Sequence, residues 1–210
     1  GFYEVMGMQA DILAKAGVPI HIGESLIQER MQEVSRKVHA ANHSRALDAA
    51  KLLDIPLLCI HTAADNCAQN FVRNVLDKKN PELLGDVIAV LKEIPEYEIA
   101  MREKAGPKII KGNANQKAGK IFVEMTGGTE GHQKAYENYV HAGISTIVCM
   151  HLSESHFKEA SEKHLNIILA GHISSDNIGM NCILDAIQKK DSLDIIACSG
   201  FRRVSHGIGK

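Results

Sequence analysis

No charge of one sign dominates this sequence. Lys and Arg number 24 against 25 Asp and Glu, a formal net charge of −1, so no overall field draws the chain to nucleic acid or to an anionic membrane. Paired cysteines are lacking too. The five thiols, Cys59, Cys67, Cys149, Cys182 and Cys198, are odd in number and never form a C-x-x-C pattern. Most sit within apolar runs, which argues against a disulfide framework and for reduced thiols packed in a core. No window reaches the roughly 20 apolar residues of a transmembrane helix. The opening GFYEVMGMQAD has neither the basic start nor the apolar middle of a secretion signal. The expectation is a soluble, cytoplasmic protein without a membrane partner. Nucleotide loops are missing as well, with no Walker Gly-Lys-Ser/Thr and no G-x-G-x-x-G.

What is present is a chain of 210 residues, 45% of them hydrophobic, enough to bury a substantial core. Its first half reads as scaffold helices with two short strands. GVPIHIGES is expected as a strand, and Ser25 to Gln28 has the spacing of a capping box that would start a helix there. Pro56 opens an expected strand, PLLCI, before a helix from about Asn66 to Lys79. Beyond Pro95 the composition shifts, with five lysines from Lys104 to Lys120, which reads as hairpin-like strands and loops. From Lys120 strands (IFVEM, STIVCM, NIILAG, LDIIACSG, FRRVS) alternate with helices. That order predicts an α/β protein with a largely parallel sheet. Three parts follow: an N-terminal α/β lobe over 1–95, a connection over 96–119, and a C-terminal α/β lobe over 120–210.

One pattern is written twice. His61-Thr-Ala-Ala-Asp65-Asn66 follows the apolar run IPLLCI, and His172-Ile-Ser-Ser-Asp176-Asn177 follows NIILAG. In an open α/β sheet, ligands bind beyond the carboxyl ends of the strands, and both pairs occupy such ends. A third expected strand, STIVCM, delivers His151 and Glu154 to the same place. Imidazole and carboxylate donors without thiolates suit zinc, manganese or iron and point to a catalytic type of metal site. The plainer alternative is that Asp65 and Asp176 are helix N-caps, each contributing about 1 kcal/mol. His151 and Glu154 are candidates for ligands, for catalytic groups or for residues that orient the ligands. The glycine-rich turn Thr126-Gly127-Gly128-Thr129 is either a plain strand-to-helix turn or an anion contact for a substrate.

Taken together, IHTAADN, MTGGTEG, MHLSESH and AGHISSDNIGMN resemble the family of dinuclear metal centre hexameric proteins. That family is often called Nif-three-like and is sometimes labelled GTP cyclohydrolase type two. The resemblance spans nearly the whole chain. It implies a fold of two similar α/β lobes with a mixed, largely parallel sheet, a pair of divalent metals (Zn, Fe or Mn) in the cleft between them, and a hexamer built from trimers. Asp65 and His172 match the family's aspartate and histidine ligands, Asp176 stands where the family usually has glutamate, and His61 is a ligand or its neighbour. The family's adjacent histidine pair followed by proline would lie upstream of Gly1. Two functions follow as expectations. One is a metal-dependent hydrolase of a small phosphorylated or heterocyclic substrate, with His151 and Glu154 moving protons. The other is a non-catalytic metal-containing scaffold, metal chaperone or regulatory partner.

Overall fold

The computed structural model describes residues 5–125 and 130–207, so the turn Thr126 to Thr129 lies outside the described residues. The first part of the chain is helical: α1 (Met8–Ala16), α2 (Ile20–Val38), α3 (Arg45–Leu52), α4 (His61–Lys79), α5 (Leu84–Lys92) and α6 (Pro95–Arg102). Strands and helices then alternate as β1 (Lys108–Lys111), β2 (Lys120–Glu124), α7 (Ala135–His141), β3 (Ile144–Cys149), α8 (Glu154–Glu162), β4 (Asn166–Leu169) and α9 (His172–Gln188). The four strands form one sheet in the order β1-β4-β3-β2. β2, β3 and β4 run parallel, and β1 closes the far edge antiparallel to β4.

Side chains alternate across the sheet, and each face holds a separate core. Val123, Val148 and Ile168 pack with Ala68, Val72, Leu84, Leu91 and Ile178 of α4, α5 and α9. Their neighbours Phe122, Ile147 and Ile167 pack with Leu13, Leu26, Tyr139 and Ala160 of α1, α2, α7 and α8. Burial on both faces explains the near-continuous apolar strands that made this half legible. No helix among the described residues is long and apolar enough to cross a membrane.

Several local expectations are corrected. GVPIHIGES is not a strand: α2 begins at Ile20 behind Pro19, and Ser25 and Gln28 fall inside it. The cause is the buried stripe Gly23, Leu26, Ile27, Arg30 and Val34, which has helical spacing and starts before the supposed cap. PLLCI, LDIIACSG and FRRVS have strand-like composition, yet residues 55–60, 193–198 and 201–206 form no strand, and Ser199 and Gly200 between the last two make a turn. A strand exists only against a neighbour, and the first 102 residues contribute none among those described. β1 pairs with β4 rather than forming a hairpin with β2. All five cysteines are free, but Cys59 and Cys198 are exposed rather than packed in a core.

Two features hold α9 in place. Along one side it is strapped by residues 200–207: Asn177 bonds the Gly200 carbonyl and the Arg202 N–H, and Asn181 bonds the Arg202 carbonyl and the Val204 N–H. Its N-terminal half crosses α4 in backbone contact. A Cβ built on Gly179 would lie 2.1 Å from the Ala64 carbonyl oxygen, so only glycine permits this approach. Gly179→Ala must therefore spread the two helices, and the expected loss is about 3 kcal/mol or more. Urea unfolding of this variant beside wild type measures it.

Candidate metal centre

The crossing sets the site. α4 starts at His61 and α9 starts at His172, so each histidine is the first helical residue, with Ile60 and Gly171 as the N-caps. Neither cap is made by a side chain. Asp65 and Asp176 stand four residues further in, on the same helix face as their histidines. An N-cap must lie outside the first turn, so the capping alternative is excluded for both. At the start of α9 the chain leaves β4 through Gly171, whose φ of +105° and whose Cβ position 2.9 Å from the Ala105 carbonyl admit only glycine. Ser175 then secures the first turn, its hydroxyl bonding the Gly171 carbonyl at 2.6 Å and Tyr97 of α6 at 2.9 Å.

The two first turns open on one cleft, of about 540 Å³ including its open mouth, which His61, Asp65, His151 and His172 line together. His151 comes from the end of β3, and its ring stacks on His172 with centroids 4.7 Å apart. Asp176 faces the same group, because the imidazoles of His172, His61 and His151 all act on its carboxyl. Within each pair the contact is loose, 3.5 Å for His61 to Asp65 and 3.8 Å for His172 to Asp176. Both exceed hydrogen-bond distance. Among the described residues no three His, Cys, Asp or Glu side chains stand in a metal-holding arrangement.

The donors nonetheless fit a divalent transition metal in kind. Asp176 Oδ1 is buried and meets no hydrogen-bond donor among the described residues, a state that costs about 1–3 kcal/mol unless something supplies positive charge. Burial raises the Asp176 carboxyl above its ordinary value, against the opposing pull of the histidines. Burial, and then the neighbouring His172, lowers the His151 imidazole, which keeps it neutral and able to donate a lone pair or take a proton. Cys149 also lines the cleft, but burial pushes its thiol far up and its Sγ points to the Ile168 carbonyl at 3.9 Å. It stays a thiol, so the donor set is nitrogen and oxygen, as manganese, iron or zinc accept.

Glu154 is not brought in. It is the exposed first residue of α8 and does not line the cleft. Glu130 takes its place. Its Oε1 lies 4.0 Å from His151 Nδ1 and accepts the Ser153 N–H, while Oε2 lies 3.2 Å from His156 Nδ1. His156 Nε2 donates to the Gly131 carbonyl at 2.9 Å, and Arg30 Nε donates to the Glu130 carbonyl at 2.9 Å. Glu124, at the end of β2, also lines the cleft. Neither glutamate belongs to a repeated pattern, which is why spacing did not single them out; a lone acid at the end of the apolar strand KIFVE was the available signal for Glu124.

Among solved structures, the chain is similar to the crystal structure of a NIF3 superfamily protein from Sphaerobacter thermophilus. The TM-score is 0.74 at 25% sequence identity, covering 90% of this chain and 70% of that one. The fold is NIF3-like. No protein-family model and no curated protein matches the chain. The α/β fold brings the starts of the two repeated histidine–aspartate turns to one cleft, although they lie far apart along the sequence.

Glu124 yields a prediction. Burial raises its carboxyl from 4.5 to about 7, opposed by the Tyr139 hydroxyl at 2.7 Å and assisted by the charge of Glu130. The unfolded chain ionises this group from pH 4.5, whereas the folded chain keeps its proton until about pH 7. Stability from this residue is therefore full at acid pH and falls as pH rises through that window, by roughly 3 kcal/mol at most. Unfolding midpoints at pH 5 and pH 8 should show a smaller drop in Glu124→Gln than in wild type.

Proposed function

We propose that the cleft between the starts of α4 and α9 binds divalent transition metal, as a pair of Zn, Fe or Mn ions. In this reading the protein uses them to hydrolyse a small phosphorylated or heterocyclic substrate. The observation that carries the reading is the convergence of His61, Asp65, His172 and Asp176 from two helices, with a buried Asp176 oxygen that meets no donor. These four side chains would hold the metal. When bound, the cations would supply Lewis-acid polarisation of the substrate's electrophilic centre.

The chain's own groups have separable tasks. His151, held neutral, accepts a proton at its imidazole nitrogen, and the Glu130 carboxylate 4.0 Å away stabilises the resulting charge. Ser153 and His156 hold Glu130 for that task. The first N–H groups of any helix lack intrahelical partners, and α4 and α9 both start at histidines that line the cleft, which suits an anionic phosphate.

A second reading, the non-catalytic scaffold assembled as a hexamer, is favoured by one observation. Leu52, Leu58 and Ile196 are 87%, 80% and 87% exposed, and a second subunit that covered them would remove apolar surface from water.

Elemental analysis of protein purified without added metal should find stoichiometric transition metal. His172→Ala and Asp176→Ala should lower metal affinity by at least about tenfold with unchanged circular dichroism. Wild-type metal content in both variants removes the site. With p-nitrophenyl phosphate and a nucleotide panel, Glu130→Gln should keep its metal and lose turnover by roughly 100-fold. Bound metal without turnover in wild type favours the scaffold.

A further inference from the structure

β2 is the last strand of the sheet and pairs only with β3. Its outer edge is the floor of a groove, of about 910 Å³ including its open mouth, between α1 and α4. α4 covers one face of the sheet and α1 the other, so the groove continues the plane of the sheet. One wall is apolar, with Met8 and Ile12 of α1; the other is polar, with Asn66, Asn70 and Arg73 of α4.

Successive strand residues turn their N–H and C=O groups to alternate sides. The Met125 N–H, at the end of β2, points away from β3 and donates to the Gln69 side chain at 2.9 Å. Val123 and Ile121, two and four residues earlier, turn the same way. No hydrogen bond among the described residues reaches them in the groove. Edge strands are ordinarily blunted by proline, a bulge or an inward charge; here the ladder's one register shift falls at the strand's start, between Lys120 and Ile121, and Phe122 and Val123 carry none of these devices. Lys120, at the strand's start, is tied down instead, its Nζ donating to the carbonyls of Ala16 at 2.6 Å and Ala142 at 3.0 Å.

We propose that this groove takes an extended segment of a partner protein, about four residues of alternating apolar and acidic character, added as a fifth strand on β2. Main-chain bonds to Ile121 and Val123 provide the affinity and the walls provide the selection. Side chains turned towards α1 meet Ile12, and those turned towards α4 meet Arg73 and the Asn70 amide, while Asn66 Nδ2 donates to Met8 Sδ at 3.6 Å and closes that end of the groove. Lys15 and Arg73 leave the groove positive against the single carboxylate of Asp77, which selects acids. The inference is independent of metal in the other cleft.

The test uses the full chain and a fluorescein-labelled ten-residue peptide of alternating valine and glutamate, read by fluorescence polarisation and by hydrogen exchange. Saturable binding is expected, with slowed exchange at the amides of Ile121 and Val123. Arg73→Glu should weaken binding roughly tenfold and admit the valine–lysine analogue instead. A peptide N-methylated at alternate amides should not bind. Absence of saturable binding overturns the proposal, as does equal binding of the N-methylated peptide, which places it off the edge. Concentration-dependent protection of the same amides in the protein alone also overturns it, by making the occupant a second copy of this chain.

Discussion

The close crossing of α4 and α9 is the constraint on which the rest of the molecule depends. Two helices ordinarily pack at 8–10 Å between axes, and here Gly179 lets one backbone rest on the Ala64 carbonyl of the other. Ala64 precedes Asp65 by one residue, and Gly179 follows Asp176 by three. The contact therefore lies beside both carboxylates, and it makes one cleft out of two stretches more than 100 residues apart in the chain. The strap of residues 200–207 and the Ser175 to Tyr97 bond act in the same direction by holding α9 from its other sides.

That cleft is electrostatically uneasy. Imidazoles and carboxylates meet at 3.5 to 4.0 Å, too far for hydrogen bonds, and Asp176 keeps a buried oxygen that meets no donor among the described residues. Burial holds His151 neutral and Glu124 protonated into the neutral range. Such arrangements are expensive for a fold and cluster at functional sites. The adjoining Glu130 network is the contrast, since its carboxylate is held by the Ser153 backbone and His156. Loose donors beside a firmly anchored acid are what the proposed metal chemistry requires.

The second half of the fold was legible because its strands are buried on both faces and read as plain apolar runs. Two stretches, one in each half, misled for a physical reason: residues 55–60 and 193–198 have strand composition, and composition cannot supply a neighbour to pair with. The repeated histidine and aspartate were visible by spacing, but their meaning was not. A helix beginning at Asn66 would make Asp65 a cap, whereas a helix beginning at His61 puts the same residue on an inner face, and one turn of difference separates the two readings. His151 joined the cleft as its place after β3 suggested. Glu154 did not, because it opens α8 on the exposed side, and Glu130, which is part of no repeated pattern, took the position instead.

The central claim is that the two histidine–aspartate turns form one site, and a double-mutant cycle on zinc affinity tests it most directly. His61→Ala, His172→Ala and the double variant would be titrated with zinc by calorimetry. The account predicts strong non-additivity, with the second substitution costing far less than it does alone, because both imidazoles serve the same ions. Additive losses, each independent of the other residue, would mean two unrelated sites and would contradict it.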